Sequence, residues 1–450
     1  VMRKIHSSPN ITIMERNKDS PMQCCHRFLL TLLPTLLAIA TATGPSMAFA
    51  SDWPAFRGSD GQGTVPAGNY PLEWSSDSGI AWKTPLPGAG ASCPVIWKDR
   101  IYLTAYTGFF VPDQPGGTQA DLRRHLLCLD RKTGRQLWQQ DISAKLPEEE
   151  RIRDHGFAAS TPAVDDKQIV CFFGKTGVIA FDHKGKQLWT ADVGEKTHGW
   201  GSAASPVLWK NLVFINASVE SESLYALDAR TGREVWKSDG IREAWNTPHL
   251  TTADGGREEL IVACQKNLLA FNPATGKPLW TCATDITWYM VPSAVSHQGT
   301  VYCLGGRSGV AGLAVKTGGS GDVTSSRRLW TSMKGSNVTS PVYHEGHLYF
   351  MHESRGIAMC LRADTGEVVY EQRLERAGQV YASALLAGDR IYYVTRDGRT
   401  FVVAASPEFK LLATSDLRDG SLFNAAPVPD ADNGRLLIRS DKALYAIGAR

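Results

Sequence analysis

Apolar residues along this chain come in short runs, broken at intervals by Gly, Pro, Asn and Asp. Runs such as Arg100-Ile101-Tyr102-Leu103, Leu212-Val213-Phe214-Ile215, His347-Leu348-Tyr349-Phe350 and Arg390-Ile391-Tyr392-Tyr393 have the length and β-branched or aromatic content of strands. Each is followed by a strand, a tight turn and a second strand. The clearest copy is Ala226-Leu227-Asp228-Ala229-Arg230-Thr231-Gly232-Arg233-Glu234-Val235-Trp236. Asp228 can accept backbone N–H groups two residues on, Gly232 can take the positive φ of a short loop, and Val235-Trp236 starts the return strand.

That unit repeats. Cys128-Leu129-Asp130 precedes Thr133-Gly134 and Trp138, and Ala270-Phe271-Asn272 precedes Thr275-Gly276 and Trp280. A shorter copy has Ala180, Asp182, Gly185 and Trp189, and another ends in Tyr370 after Thr365-Gly366. Two are degenerate: Ala314 to Trp330 carries a Gly/Ser-rich insertion, and Val403 to Ala413 has lost both Gly and Trp. A small-residue marker precedes each copy, at Pro94, Pro162, Pro206, Pro248, Pro292, Pro341, Ala384 and Pro427. The first interval is 68 and the others are 42 to 49, so each unit holds four short strands within about 43 residues. Helical repeats of the TPR or HEAT kind need apolar positions at helical spacing, whereas Pro, Gly and β-branched residues at strand spacing predict a β-propeller.

The expected fold is all-β: an eight-bladed β-propeller of four-stranded antiparallel blades. The eighth unit ends at Ala443-Leu444-Tyr445-Ala446-Ile447 without a return strand, and Ile80-Ala81-Trp82-Lys83 matches the return strands of other units. The N- and C-terminal strands therefore pair to close the ring and remove exposed sheet edges. The domain reading is a leader over 1–50, an irregular arm over 51–79 with aromatic anchors that pack along the ring, and the propeller over 80–450. In the leader, the apolar run 28–43 after Arg27 and the small-x-small Ala48-Phe49-Ala50 read as a secretory signal peptide cleaved after Ala50. Met22 is the expected natural start, with an overlong N-terminus before it.

Composition narrows the partners. A formal net charge of +3 gives no electrostatic reason to expect nucleic acid. The apolar run is too short and too broken by Pro34 to read as a membrane span. Beyond the leader, Cys93, Cys128, Cys171, Cys264, Cys282, Cys303 and Cys360 remain, an odd number that forbids full pairing. Cys128 and Cys360 stand where other copies have Ala, so they read as small buried side chains. A disulfide among Cys264, Cys282 and Cys303 is left open. Residues 105–125 are an insertion in the first blade, and Glu148-Glu149-Glu150 followed by Arg151 and Arg153 reads as a solvated charge face.

The pattern Ala-x-Asp-x-x-Thr-Gly-x-x-x-Trp resembles the tryptophan-docking motif of the PQQ-binding-like, or quinoprotein-type, β-propeller repeat family, over essentially all of residues 81 to 450. The resemblance implies that Trp82, Trp138, Trp189, Trp236, Trp280, Trp330 and Tyr370 dock blades together, each ring against the Gly of its own motif and a peptide group of the neighbouring blade. It also implies two functions. One is that of the family's dehydrogenases, with PQQ and calcium over the ring; the other is that of the non-enzymatic propeller of the outer-membrane-protein assembly machinery. The adjacent Cys-Cys pair common beside the quinone has its only counterpart at Cys24-Cys25, in the leader.

Loops before each first strand should crowd one mouth of the channel. They carry His155, His198, Trp200, Trp245, Asn246, Trp288, Tyr289, Asn337, Tyr381 and Asn424, a platform of aromatic faces with amide and imidazole groups. His155 and His198 lack a carboxylate or Cys at ligand spacing and adjoin Gly, so they read as loop-bonding residues; neither metal nor catalytic residue is assigned. The expected function is a secreted or periplasmic, non-catalytic, monomeric scaffold for an envelope protein or extracellular polymer. The alternatives are a PQQ-dependent dehydrogenase of alcohols or sugars and a polysaccharide-binding module.

Overall fold

The computed structural model describes residues 52–114 and 116–449; the leader, its cleavage site and Cys24-Cys25 lie outside them. The strands form eight sheets, one per repeat, each built on a four-stranded antiparallel meander, with a parallel fifth strand added to two of them. Blade 1 runs Val95–Trp97, Arg100–Thr107, Arg123–Asp130 and Gln136–Ser143. Blades 2 to 7 follow in chain order. Blade 8 takes Val428–Asp430, Arg435–Arg439 and Ala443–Ile447. Its outermost strand is Ile80–Pro85, with Trp82 opposite Ala446. The chain ends thus close an eight-bladed propeller.

Within each blade the third and fourth strands slip register at one place. In blade 3, Ala226 faces Trp236 but Leu227 faces Glu234, so Val235 is bulged out. The same bulge lies at Cys128/Trp138, Ala180/Trp189, Ala270/Trp280, Ala314/Trp330, Cys360/Tyr370, Val402/Ala413 and Ala446/Trp82. A bulge twists the strand and re-aims the next side chain. That side chain is Trp in six blades, facing Ala in five of them and Cys128 in the sixth; it is Tyr370 facing Cys360 in blade 6 and Ala413 facing Val402 in blade 7. Cys128 and Cys360 are therefore small cross-strand partners, and all seven described cysteines are buried and unbridged.

The docking differs from expectation in one respect. Each ring lies on the glycine of the following blade, not of its own motif. A Cβ on Gly134 would stand 2.4 Å from the Trp82 ring, on Gly232 2.5 Å from Trp189, on Gly276 2.5 Å from Trp236, and on Gly366 2.6 Å from Trp330. Gly185 is looser, at 3.2 Å from Trp138. Indole N–H groups also reach forward, from Trp189 to Ala229 O at 3.0 Å, Trp236 to Pro273 O at 3.1 Å and Trp330 to Ala363 O at 2.9 Å. The reason is chain direction: the return strand is outermost, so its Trp meets the neighbour's hairpin. Trp280 is the exception because blade 5 has the insertion in place of that hairpin; its N–H donates to buried Glu259 at 2.8 Å. Part of the insertion, Gly321–Asp322, adds a parallel fifth strand beside Trp280. Tyr370, facing a hairpin with no glycine, packs edge-on against Phe409.

Around the channel the small-residue markers acquire a chemical role. Amides at Cys93, Thr161, Ser205, Thr247, Ser293 and Ser340 each donate to the hydroxyl of the corresponding residue one blade on, at 2.9 to 3.1 Å. The last acceptor in this ring is Ser383. Blade 5 enters it through Ser293-Ala294, two residues later than the Pro292 marker suggested.

The arm straps the face of the ring that carries the Thr-Gly hairpins. Trp53 pairs with Ile96 of blade 1, and Pro54 O accepts from Val164 of blade 2. Phe56 enters the channel. Buried Arg57 donates to Ser340 O and Pro341 O of blade 6 and to Gln62 O. Gln62 bonds Ser296 of blade 5, and Thr64–Val65 pairs parallel with blade 7 before the arm reaches blade 8.

Gly276→Ala should be the test of docking. Its φ is +69° and a Cβ would strike Trp236, whereas Gly346, at φ +79°, has open space around it. We expect Gly276→Ala to lose roughly 2–4 kcal/mol and Gly346→Ala about 1 kcal/mol, read from urea unfolding. Equal losses would remove the ring–glycine contact as a cause.

Candidate functional site

In an antiparallel meander the loops between blades and the turns joining second to third strands share one face, opposite the hairpins and the arm. That face holds the open mouth of the channel. Below the mouth the passage narrows to about 120 Å³, lined by His155, Trp245, Tyr381, Asn424 and the inner hydroxyl residues and blocked by Phe56.

One half of the mouth is a connected aromatic cluster. The ring of Tyr289 lies 5.9 Å from Trp200, 5.6 Å from Trp245 and 5.5 Å from Trp288, and His198 stands edge-on to Trp245 at 5.1 Å. Trp245 is fixed by its N–H to Gly201 O, and His198 by accepting the Trp200 amide on Nδ1. Trp288, 38% exposed, is the outermost ring. Guanidinium groups cover it: Arg153 sits 4.7 Å over Trp200 and Arg307 5.6 Å over Trp288.

The other half is polar. Arg396, from the turn of blade 7, pairs with Asp154 at 3.1 Å, donates to Asn424 Oδ1 at 3.0 Å and stacks 4.2 Å over Tyr381. Asn424 in turn donates to Asp154 O at 2.8 Å, so blades 1, 7 and 8 are clipped across the closure. His155 sits in the channel wall, bonded to Gly156 O, and burial lowers its pKa.

Two predicted residues do not face the mouth. Asn246 is buried, donating to Ala263 O and Met290 O and accepting from the Ala263 amide. Asn337 is fully buried; its amide nitrogen reaches the Tyr289 hydroxyl at 3.3 Å, while its Oδ1 has no partner among the described residues. Sequence reasoning missed Arg307 and Arg396 as site residues. Both lie in second-to-third turns, which fall on this face once the blade topology is known. The insertion of blade 1 borders the mouth with clefts of about 570 and 920 Å³; Phe109 packs on Phe157, and Phe110 is exposed under Arg151.

The acidic run is not wholly solvated. Glu148 pairs with Arg124 at 2.5 Å with both side chains buried, Glu149 accepts from Thr197 at 2.6 Å, and only Glu150 is exposed. Beside them, Glu220 is 2% exposed and bonds Ser202. Burial raises its pKa from 4.5 to about 7. Glu220 O also accepts from Lys196 N at 3.1 Å. The loop carrying His198 and Trp200 is therefore held to Glu220 at both ends. Among the described residues, no three His, Cys, Asp or Glu side chains group as a metal site, and no helix is long and apolar enough to cross a membrane.

The family model for the outer membrane protein assembly factor BamB matches residues 107–239, 218–322 and 319–421. The chain belongs to this BamB family of PQQ-type repeats. No curated protein matches it. Among solved structures, this BamB-family propeller is similar to BamB from Moraxella catarrhalis, with 14% identity over 82% of this chain and 96% of that one and a TM-score of 0.57. It is equally similar to the quinohemoprotein alcohol dehydrogenase from Comamonas testosteroni, with 14% identity over 89% and 81% and a TM-score of 0.58. At that identity the two likenesses establish the fold they share and leave the role of the mouth to its own chemistry.

The Glu220 carboxyl gives a pH prediction. A folded pKa above the unfolded value means that its contribution to stability is full below about 4.5 and is lost as pH rises through about 7. Glu220→Gln cannot ionise, so it should gain stability over the wild type as pH rises from 4.5 to 7.5, measured as a difference in Tm. A constant difference across that window would show that the carboxyl does not titrate there.

Proposed function

We propose that this chain is a secreted or periplasmic, non-catalytic scaffold whose mouth face docks an envelope protein. The supporting observation is the rim of Trp200, Trp245, Trp288 and Tyr289 in mutual contact, capped by Arg153 and Arg307. Trp, Tyr and Arg dominate binding energy at protein interfaces because they bury large area at low entropy cost and keep a polar handle. The rigid ring beneath holds the cluster in place before binding, which limits the ordering cost of association.

Quinone chemistry does not fit the channel as built. Its 120 Å³ falls below the roughly 300–1,000 Å³ of small-molecule sites; the clefts of about 570 and 920 Å³ beside the blade 1 insertion have that size, but among the described residues no three His, Cys, Asp or Glu side chains group there to hold a cation. Calcium takes about six to eight oxygen ligands, and the described residues offer no carboxylate cluster there. No catalytic step is therefore derived through PQQ.

Immobilised protein should retain an envelope protein from extract, and Trp288→Ala should weaken that retention at least tenfold, about 1.4 kcal/mol or more. In parallel, PQQ and calcium are titrated with alcohols, sugars and an artificial electron acceptor. Saturable quinone binding with acceptor reduction would replace the scaffold reading with the dehydrogenase one. Retention of polysaccharide alone would replace it with the polymer-binding one.

A further inference from the structure

The charges at the mouth are unevenly matched. Carboxylates of this face are already paired with cations, Asp154 with Arg396, Glu148 with Arg124, Asp285 with Arg328 and Glu222 with Lys196 and Arg242, and Asp441 in the cleft wall accepts the Gly90 amide at 3.2 Å. Arg151, Arg153 and Arg307 are exposed, and among the described residues none has a carboxylate within ion-pair distance. Each instead lies over an aromatic ring, Phe110, Trp200 and Trp288 respectively. Glu150, beside Arg151, is the one exposed acid of that loop without a partner.

Stacking on a ring holds the guanidinium plane and turns its N–H edges outward for a carboxylate, the fork geometry that favours Arg over Lys; one Arg307 N–H is used at 3.3 Å on the Tyr289 hydroxyl, which leaves its other N–H groups for a partner. It also covers one face of Trp200 and of Trp288, faces that a sugar would need for stacking. From Arg153 the path runs through Trp200, Tyr289 and Trp288 to Arg307 in steps of 4.7, 5.9, 5.5 and 5.6 Å. The two guanidiniums therefore lie within about 22 Å of each other, the reach of roughly six or seven residues of extended chain.

Resting on the docking role above, we propose that this rim recognises an acidic, extended segment of a protein partner: its carboxylates pair with Arg153 and Arg307 and its apolar side chains cover Tyr289 and Trp288. Arg151 over Phe110 extends the same surface towards the blade 1 insertion.

The test uses a ten-residue peptide with Asp or Glu at alternate positions and a central Tyr, its Asn/Gln isostere and its Lys counterpart. Binding to the full chain is followed by Trp fluorescence at several salt concentrations. The acidic peptide should bind at least tenfold more tightly than the isostere and weaken with salt, and the Lys peptide should bind least. Arg153→Gln/Arg307→Gln should lose at least tenfold for the acidic peptide and little for the isostere. Lys184→Gln, on the opposite face, should leave both within twofold. An unchanged Tm for the double variant separates lost recognition from lost folding. Equal affinity for acidic and neutral peptides, no peptide binding, or no effect of the double variant would overturn the acidic preference. If an envelope protein is still retained through Trp288, the scaffold role survives that result. If retention fails as well, both fall.

Discussion

Eight sheets meet around the axis of this propeller, and their innermost backbone amides sit where solvent is scarce. The hydroxyl of the next blade caps six of them in turn, from Cys93 to Thr161 and on to Ser340 and Ser383. Each such bond contributes about 1 kcal/mol net, but an uncapped buried amide costs roughly 1–3 kcal/mol. The ring therefore fixes spacing and direction as much as strength. A blade can neither slide nor rotate without uncapping a neighbour. The outer tier repeats that directionality in apolar form, because the bulges of blades 1, 2, 3, 5 and 8 turn a Trp towards the following hairpin.

Closure and occlusion follow from the same constraint. Closing the ring through blade 8 leaves only short, protected sheet edges, and one face is left with its hairpins. The arm uses that face, placing Phe56 in the channel and satisfying the buried guanidinium of Arg57 with backbone carbonyls. Burial brings that guanidinium's pKa down to about 10, still far above neutrality, so the plug keeps its charge. With one end blocked, the opposite face is the one available for recognition, and its loops vary without disturbing either tier.

The mouth also shows why like residues take unlike roles. Asn246 and Asn424 occupy neighbouring positions in their repeats, yet Asn246 pairs with buried backbone while Asn424 clips Arg396 to Asp154. Glu148 and Glu150 are two residues apart, one in a buried ion pair and the other exposed. Burial, set by the packing of blade against blade, makes the difference.

Much was legible in the chain alone because a repeat states the same local rule many times. Asp228, Thr231 and Gly232 specify a turn, their copies specify the blade, and the orphan strand at Trp82 specifies closure. Those signals are local, so periodicity preserves them. Which glycine receives each Trp, where the bulges fall, and that Ser293 rather than Pro292 marks blade 5 depend on contacts between blades, for which sequence spacing carries no sign. The pairing of Arg307 with Trp288 and of Arg396 with Asp154 is of the same kind. Residues 242 positions apart meet only because the ring returns to its start, and that side-chain contact belongs to the tertiary structure.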